Sequence, residues 1–158
     1  MRGFQKLVAL FAALAALAGT AFAAAGPTSP PSFDASISPG TVALAFEWAI
    51  DVERGQHGLG PLVIDAVENV QAVNWSSLMA YTGTLAEDPN TRAAIASYQP
   101  NWRAFGENVG VGATPQSIEA AFMASPPHRA NILGNYTHVG VGVVSANGRL
   151  WVTERFYS

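Results

Sequence analysis

The sequence predicts an α/β fold, a single α/β/α sandwich with helices on both faces of a small, mainly antiparallel sheet. Three observations predict it. Apolar residues recur at helical spacing between positions 41 and 56, a cap signal opens a second helix at Asp65, and two β-branched runs flank Asn147-Gly148.

In the first helix Val42, Ala45, Phe46, Ala49, Ile50 and Glu53 share one face, with Gly55 and Gly58 near its end. Asp65 followed by Glu68 resembles a capping box. Val70, Val73, Ser77 and Leu78 would form the stripe of that second helix, which stops near Gly83. Residues 84–105 read as irregular, around a short helix at 91–97. Thr114-Pro115 is an N-cap followed by a proline at the first helical position, and Ile118, Ala121 and Phe122 give an apolar face up to Ser125. Pro126-Pro127 ends that helix, and residues 128–133 form a separate turn or two. Residues 138–145 and 149–157 make a hairpin through Asn147-Gly148, the preferred type I′ dipeptide. Its register sets Ala146 opposite Arg149, Gly142 opposite Thr153 and Val143 opposite Val152. Gly140 and Gly142 then mark either close helix packing, the favoured reading, or room beside a cleft.

The amino terminus reads differently from the rest. Arg2 and Lys6 precede an apolar run at 7–18 that is too short to span a bilayer, and Ala21-Phe22-Ala23 is an A-x-A cleavage site. Residues 1–23 are therefore expected to be a signal peptide, cut after Ala23 or Ala25, leaving no membrane span after processing. Residues 24–40, with Pro27, Pro30, Pro31 and Pro39, read as a flexible leader, and 41–158 as one domain. The formal charge of −3 becomes −5 once Arg2 and Lys6 are removed, and there are no basic clusters. That argues against nucleic acid and against electrostatic capture by anionic membranes. With no cysteine, a disulfide framework, thiol catalysis and cysteine-ligated zinc are all excluded.

Three motifs carry most of the functional information. They are Gly106-Glu107-Asn108-Val109-Gly110, then Ser125-Pro126-Pro127-His128-Arg129-Ala130-Asn131-Ile132-Leu133, then His138-Val139-Gly140-Val141-Gly142-Val143. In this order and spacing they resemble the bacterial branch of the CAP/SCP superfamily, which includes cysteine-rich secretory proteins, antigen 5 and plant pathogenesis-related proteins. Asp51-x-x-Arg54 and Gly58-Leu59-x-x-Leu62 resemble the family's first helix and the turn after it, so the resemblance covers roughly residues 44–157. It implies the CAP fold, and it implies a surface cleft in which two histidines can hold a divalent metal beside glutamates.

His128 matches one cleft histidine and Glu107 a cleft glutamate; a carboxylate beside an imidazole would raise its pKa and set its tautomer. In Gly106-Glu107-Asn108 the glycine would permit an unusual backbone turn, with Asn108 bridging local amides. Glu107 reads alternatively as a structural carboxylate bonded to backbone amides. Where the family has its first cleft histidine, Leu85-Ala86-Glu87-Asp88-Pro89 places Glu87, and the second cleft glutamate of eukaryotic members would fall near Ser125. The metal site thus reduces to His128, Glu107 and Glu87, a set less selective for zinc and expected to hold a divalent ion weakly if at all. Glu87 reads equally well as a solvated loop residue. Asn131 should tie its side chain to backbone near the Gly-Glu-Asn segment, and Arg129 should pair with a surface carboxylate. His57 reads as an exposed helix-end residue and His138 as core-edge packing. Ser125, Ser76 and Ser77 lack a G-x-S-x-G context, and no HExxH, phosphate loop or dinucleotide fingerprint occurs.

The expectation is a secreted, extracellular binding module without a cofactor, taking an apolar ligand of lipid or sterol type, or a protein partner. The alternative is a metal-assisted or acid/base hydrolase, with Glu107 as base and His128 as ligand or electrophile.

Overall fold

The computed structural model describes residues 38–158; the segment read as a signal peptide and most of that read as a leader lie outside the described residues. Helix α1 (Pro39–Gln56) starts two residues before the predicted domain boundary, because the preset φ of Pro39 suits the first turn. Strand β1 (Val63–Ile64) follows, then α2 (Ala66–Thr82), α3 (Thr91–Tyr98) and β2 (Phe105–Gly112). Next come α4 (Pro115–Ala124), α5 (Pro126–Ile132), β3 (His138–Ala146) and β4 (Arg149–Tyr157). The strands lie in the order β1-β3-β4-β2, with only β1 parallel to its neighbour. Helix α2 packs on one face of the sheet, and α1, α4 and α5 on the other. This is the predicted α/β/α sandwich.

The hairpin has the predicted register, Gly142 opposite Thr153 and Val143 opposite Val152. Asn147 and Gly148 both take positive φ, as a type I′ turn requires. Phe46, Ile50, Ile132, Val139, Val152 and Phe156 are buried between the sheet and the three-helix layer. Each such side chain contributes roughly 1.5–3 kcal/mol on leaving water.

Helix α2 corrects two readings. Asp65 does cap it, accepting from the amides of Val67 and Glu68, but the Glu68 side chain does not turn back to close a box. It points inward to Arg155 and Tyr98. The helix also turns the other way round: Glu68, Ala72, Ser76 and Met79 are buried, while Val70, Val73, Ser77 and Leu78 are exposed. Small and polar residues can face the sheet because its surface there is glycine. A Cβ on Gly140 would stand 2.5 Å from the Glu68 Cβ, and one on Gly142 would stand 2.1 Å from the Ala72 and Val73 backbone. Ser76 Oγ then donates to the Gly142 carbonyl at 2.9 Å. Close packing, not room beside a cleft, explains both glycines. Gly142→Ala should force α2 off the sheet, costing about 1–3 kcal/mol or more, read as a lowered urea midpoint. A midpoint within error of wild type would show that the contact yields freely.

On α4, Thr114 and Ser117 form a complete capping box. The buried face is Pro115, Ile118, Glu119 and Phe122; Ala121, expected on that face, is exposed.

Candidate functional site

Gly106-Glu107-Asn108 is not a turn. It lies in β2 paired with β4, where alternate side chains must point to opposite faces of the sheet. Gly106 is needed for clearance, since a Cβ there would meet Asn131 Oδ1 at 2.5 Å and the Tyr136 hydroxyl at 2.7 Å.

On the α2 face, Glu107 meets Arg155, its cross-strand partner on β4. The guanidinium is 1% exposed and holds three carboxylates: Glu107 through Nε at 2.7 Å, Asp88 through Nη2 at 2.7 Å and Glu68 through Nη1 at 3.1 Å. Glu107 also accepts from the Asp88 amide at 2.7 Å and from Thr91 Oγ1 at 3.0 Å. Burial pushes the Glu107 and Glu68 carboxyls above their ordinary range, opposed by Arg155 and, at Glu107, by the Asp88 amide. Burial alone would lower the Arg155 pKa, but Glu107 and Glu68 raise it overall. The arrangement is a buried ion cluster joining α2, the loop before α3, β2 and β4.

On the other face lies an amide ladder. Asn131 Nδ2 donates to the Glu107 carbonyl at 3.0 Å and to Asn108 Oδ1 at 2.9 Å, which meets the expectation for Asn131. Asn108 Nδ2 donates to the His128 carbonyl at 3.3 Å and to Glu154 Oε2 at 3.1 Å. Glu154 is fully buried and interacts with the buried Glu119 of α4. Burial, with the charge of Glu53 adding to it, pushes Glu119 up to about 7, and burial beside Glu119 lifts Glu154 well above its ordinary value. The His128 ring is half-buried and lies 5.0 Å from the Phe122 ring, with Nδ1 buried and without a hydrogen-bond partner.

The chain matches the model of the cysteine-rich secretory protein family, the CAP domain, over residues 49–155. It belongs to the CAP family. Over 112 residues it is 34% identical to the uncharacterised protein YkwD of Bacillus subtilis, covering 67% of this chain and 43% of that protein. The chain thus spans less than half the length of that relative. Its fold is similar to that of an outer surface protein of Borrelia burgdorferi (TM-score 0.68, 16% identity, 77% and 96% of the two chains). It is also similar to a cysteine-rich secretory protein from Staphylococcus aureus (TM-score 0.63, 22% identity, 77% and 40%). A third likeness is to an extracellular SCP-domain protein from Bacillus anthracis (TM-score 0.60, 19% identity, 78% and 44%).

Within this CAP domain the residues read as a metal set are not brought together. Glu107 lies on the α2 face with both oxygens engaged, whereas His128 lies on the α5 face beside Phe122. Glu87 is exposed, and Ser125 is the residue between α4 and α5. Among the described residues no three His, Asp or Glu side chains converge to hold a metal ion. The donors that remain do not fit the divalent ion that the family implies.

The other candidates have structural places. Arg129 pairs with His57 Nε2 at 3.0 Å rather than with a carboxylate, and His57 Nδ1 lies 2.8 Å from the Glu53 carbonyl. His138 stacks on Tyr157 at 4.8 Å, consistent with packing at the core edge. Ser76 is buried against Thr153, and Ser77 bonds its own helix. Sequence reasoning missed Arg155, Glu119 and Glu154. The only trace of them is charge inside elements otherwise rich in apolar residues: Glu119 between Ile118 and Phe122, and the adjacent Glu154 and Arg155 in β4.

Proposed function

We propose that the chain is a secreted CAP-domain binding module that performs no catalysis and takes an apolar ligand outside the cell. The observation that carries this reading is Glu107. The one carboxylate positioned by the family motif to act as a base is held by Arg155, Thr91 and the Asp88 amide, with no free oxygen to accept a substrate proton. A second support is a pocket of about 370 Å³ between α4 and α5, lined by Met123, Ala124, Pro126, Arg129, Ala130 and Leu133. Its size suits a small ligand, and its lining is apolar apart from the exposed Arg129, a combination that suits an apolar chain with an anionic head. The relatives described as extracellular or outer-surface proteins, and the amino-terminal export signal, support the location.

The test is titration with a fluorescent long-chain fatty acid, comparing wild type with Ala130→Trp, which fills the pocket. Loss of affinity of about tenfold or more, roughly 1.4 kcal/mol, is expected. Equal affinity in the two proteins would remove the pocket from the reading. Peptide, ester or glycan hydrolysis present in wild type and lost in His128→Ala would replace the binding module by the hydrolase.

A further inference from the structure

Helix α2 has two faces, and only one is used by the fold. The inner face of Glu68, Ala72, Ser76 and Met79 packs on the sheet. The outer face carries Val67, Val70, Asn74, Ser77, Leu78 and Tyr81, all exposed and within one stripe at helical spacing. Tyr81 is 90% and Val70 59% exposed. The only charged residue among the 17 of α2 is Glu68, and it is buried, so the solvent face of this helix carries no charge. Val63, Ile64 and Leu44, also exposed, extend the apolar surface at the start of α2, beside a groove that Leu44, Ile64 and Val73 line together. Solvated helix faces are ordinarily charged, and charge depletion with exposed tyrosine marks the centres of protein interfaces.

We infer that this face joins a second copy of the chain in a two-fold dimer through antiparallel packing of α2 on α2. The pattern along the stripe selects that occupant. Val67 and Val70 lie at one end, Leu78 and Tyr81 at the other, and Asn74 and Ser77 between them. Running two such stripes antiparallel about Asn74 sets Val67 on Tyr81 and Val70 on Leu78 at both ends, with Asn74 facing its own symmetry mate at the centre. This is the self-complementarity that a two-fold contact requires. The short Asn74 and Ser77 side chains let the axes approach closely at the crossing. A stable pair needs about 800 Å² from each partner, so the contact draws on the exposed Leu44, Val63 and Ile64 as well as on the α2 stripe. The α2 stripe carries no charge, so self-pairing along it brings no like charges together, and the one carboxylate of the adjoining groove, Glu47, is 9% exposed. The pocket between α4 and α5 lies in the opposite layer, so the dimer leaves it open.

Analytical ultracentrifugation of the secreted protein tests the inference. Wild type should sediment as a dimer at micromolar concentration. Val70→Lys and Tyr81→Lys should sediment as monomers with unchanged circular dichroism, because both positions are exposed. Ala121→Lys, exposed on α4, should remain dimeric. The chain has no cysteine, so Asn74→Cys at the crossing should oxidise to a covalent dimer, whereas Ala121→Cys should not. A monomeric wild type, a dimer that survives both lysine variants, or equal cross-linking at the two cysteine positions would overturn the inference. So would a monomer that binds phosphatidylcholine vesicles through Val70, since the face would then meet lipid instead of a second copy.

Discussion

Arg155→Leu should destabilise the domain by about 3–5 kcal/mol at neutral pH, the usual cost of leaving buried charges without their partner. Three carboxylates surround that one guanidinium, and two of them, Glu68 and Glu107, are almost wholly buried. The loss should depend on pH in a defined direction. Burial already holds the Glu68 and Glu107 pKa values above their unfolded values, and removing Arg155 raises them further. A group with a raised folded pKa contributes stability that is present below the unfolded value and is lost as pH rises through the folded one. The variant should therefore recover part of its stability on acidification from neutrality toward about pH 5, as the carboxylates take up protons. Urea midpoints for wild type, Arg155→Leu and the exposed control Arg149→Leu at both pH values measure this. If the two leucine variants lost equally little, the cluster would hold nothing together.

The second large effect belongs to Glu119 and Glu154. Both carboxyls titrate high: burial, with the charge of Glu53 adding to it, takes Glu119 to about 7, and burial beside Glu119 lifts Glu154. By the same sign rule, the pair contributes stability fully present below the ordinary carboxyl range and lost as pH rises through about 7. Wild type should thus be less stable at pH 8 than at pH 5. Glu119→Gln keeps the shape, removes one charge, and can donate to Glu154 Oε1, which has no partner. It should stabilise the protein at pH 8 by up to roughly 3 kcal/mol, and the gain should shrink toward pH 5. Thermal midpoints across that range provide the check. A constant difference at all pH values, or destabilisation by Glu119→Gln at pH 8, would mean that the pair does not share a proton.

Much of this chain could be read without its tertiary structure, because the signals are local. Asp65 and Thr114 satisfy the amides of their own helices within three residues. Asn147-Gly148 adopts the positive φ pair of its turn, and the turn dictates the register of the strands it joins. Asn131 was placed against the Gly-Glu-Asn segment by motif order, and the CAP family by three motifs together. None of these needs knowledge of what lies across the sheet.

What the fold alone decided are the faces and the partners. Helix α2 carries apolar residues on one side and small or polar residues on the other, and hydrophobicity favours burying the wrong one. Gly140 and Gly142 reverse the choice, since only a helix face of alanine, serine and a charge matched by Arg155 can come so close to their backbone. Glu107 looked like a cleft base because sequence gives the motif and not the residue opposite. Its role was set by Arg155, 48 positions away and adjacent only through the β2–β4 ladder. Glu119 and Glu154 meet in the same way, from a helix and a strand that no local pattern connects. Caps and turns are settled by chemistry within a few residues. Buried charge is settled by whichever group the fold sets against it, and that pairing is a property of the assembled layers.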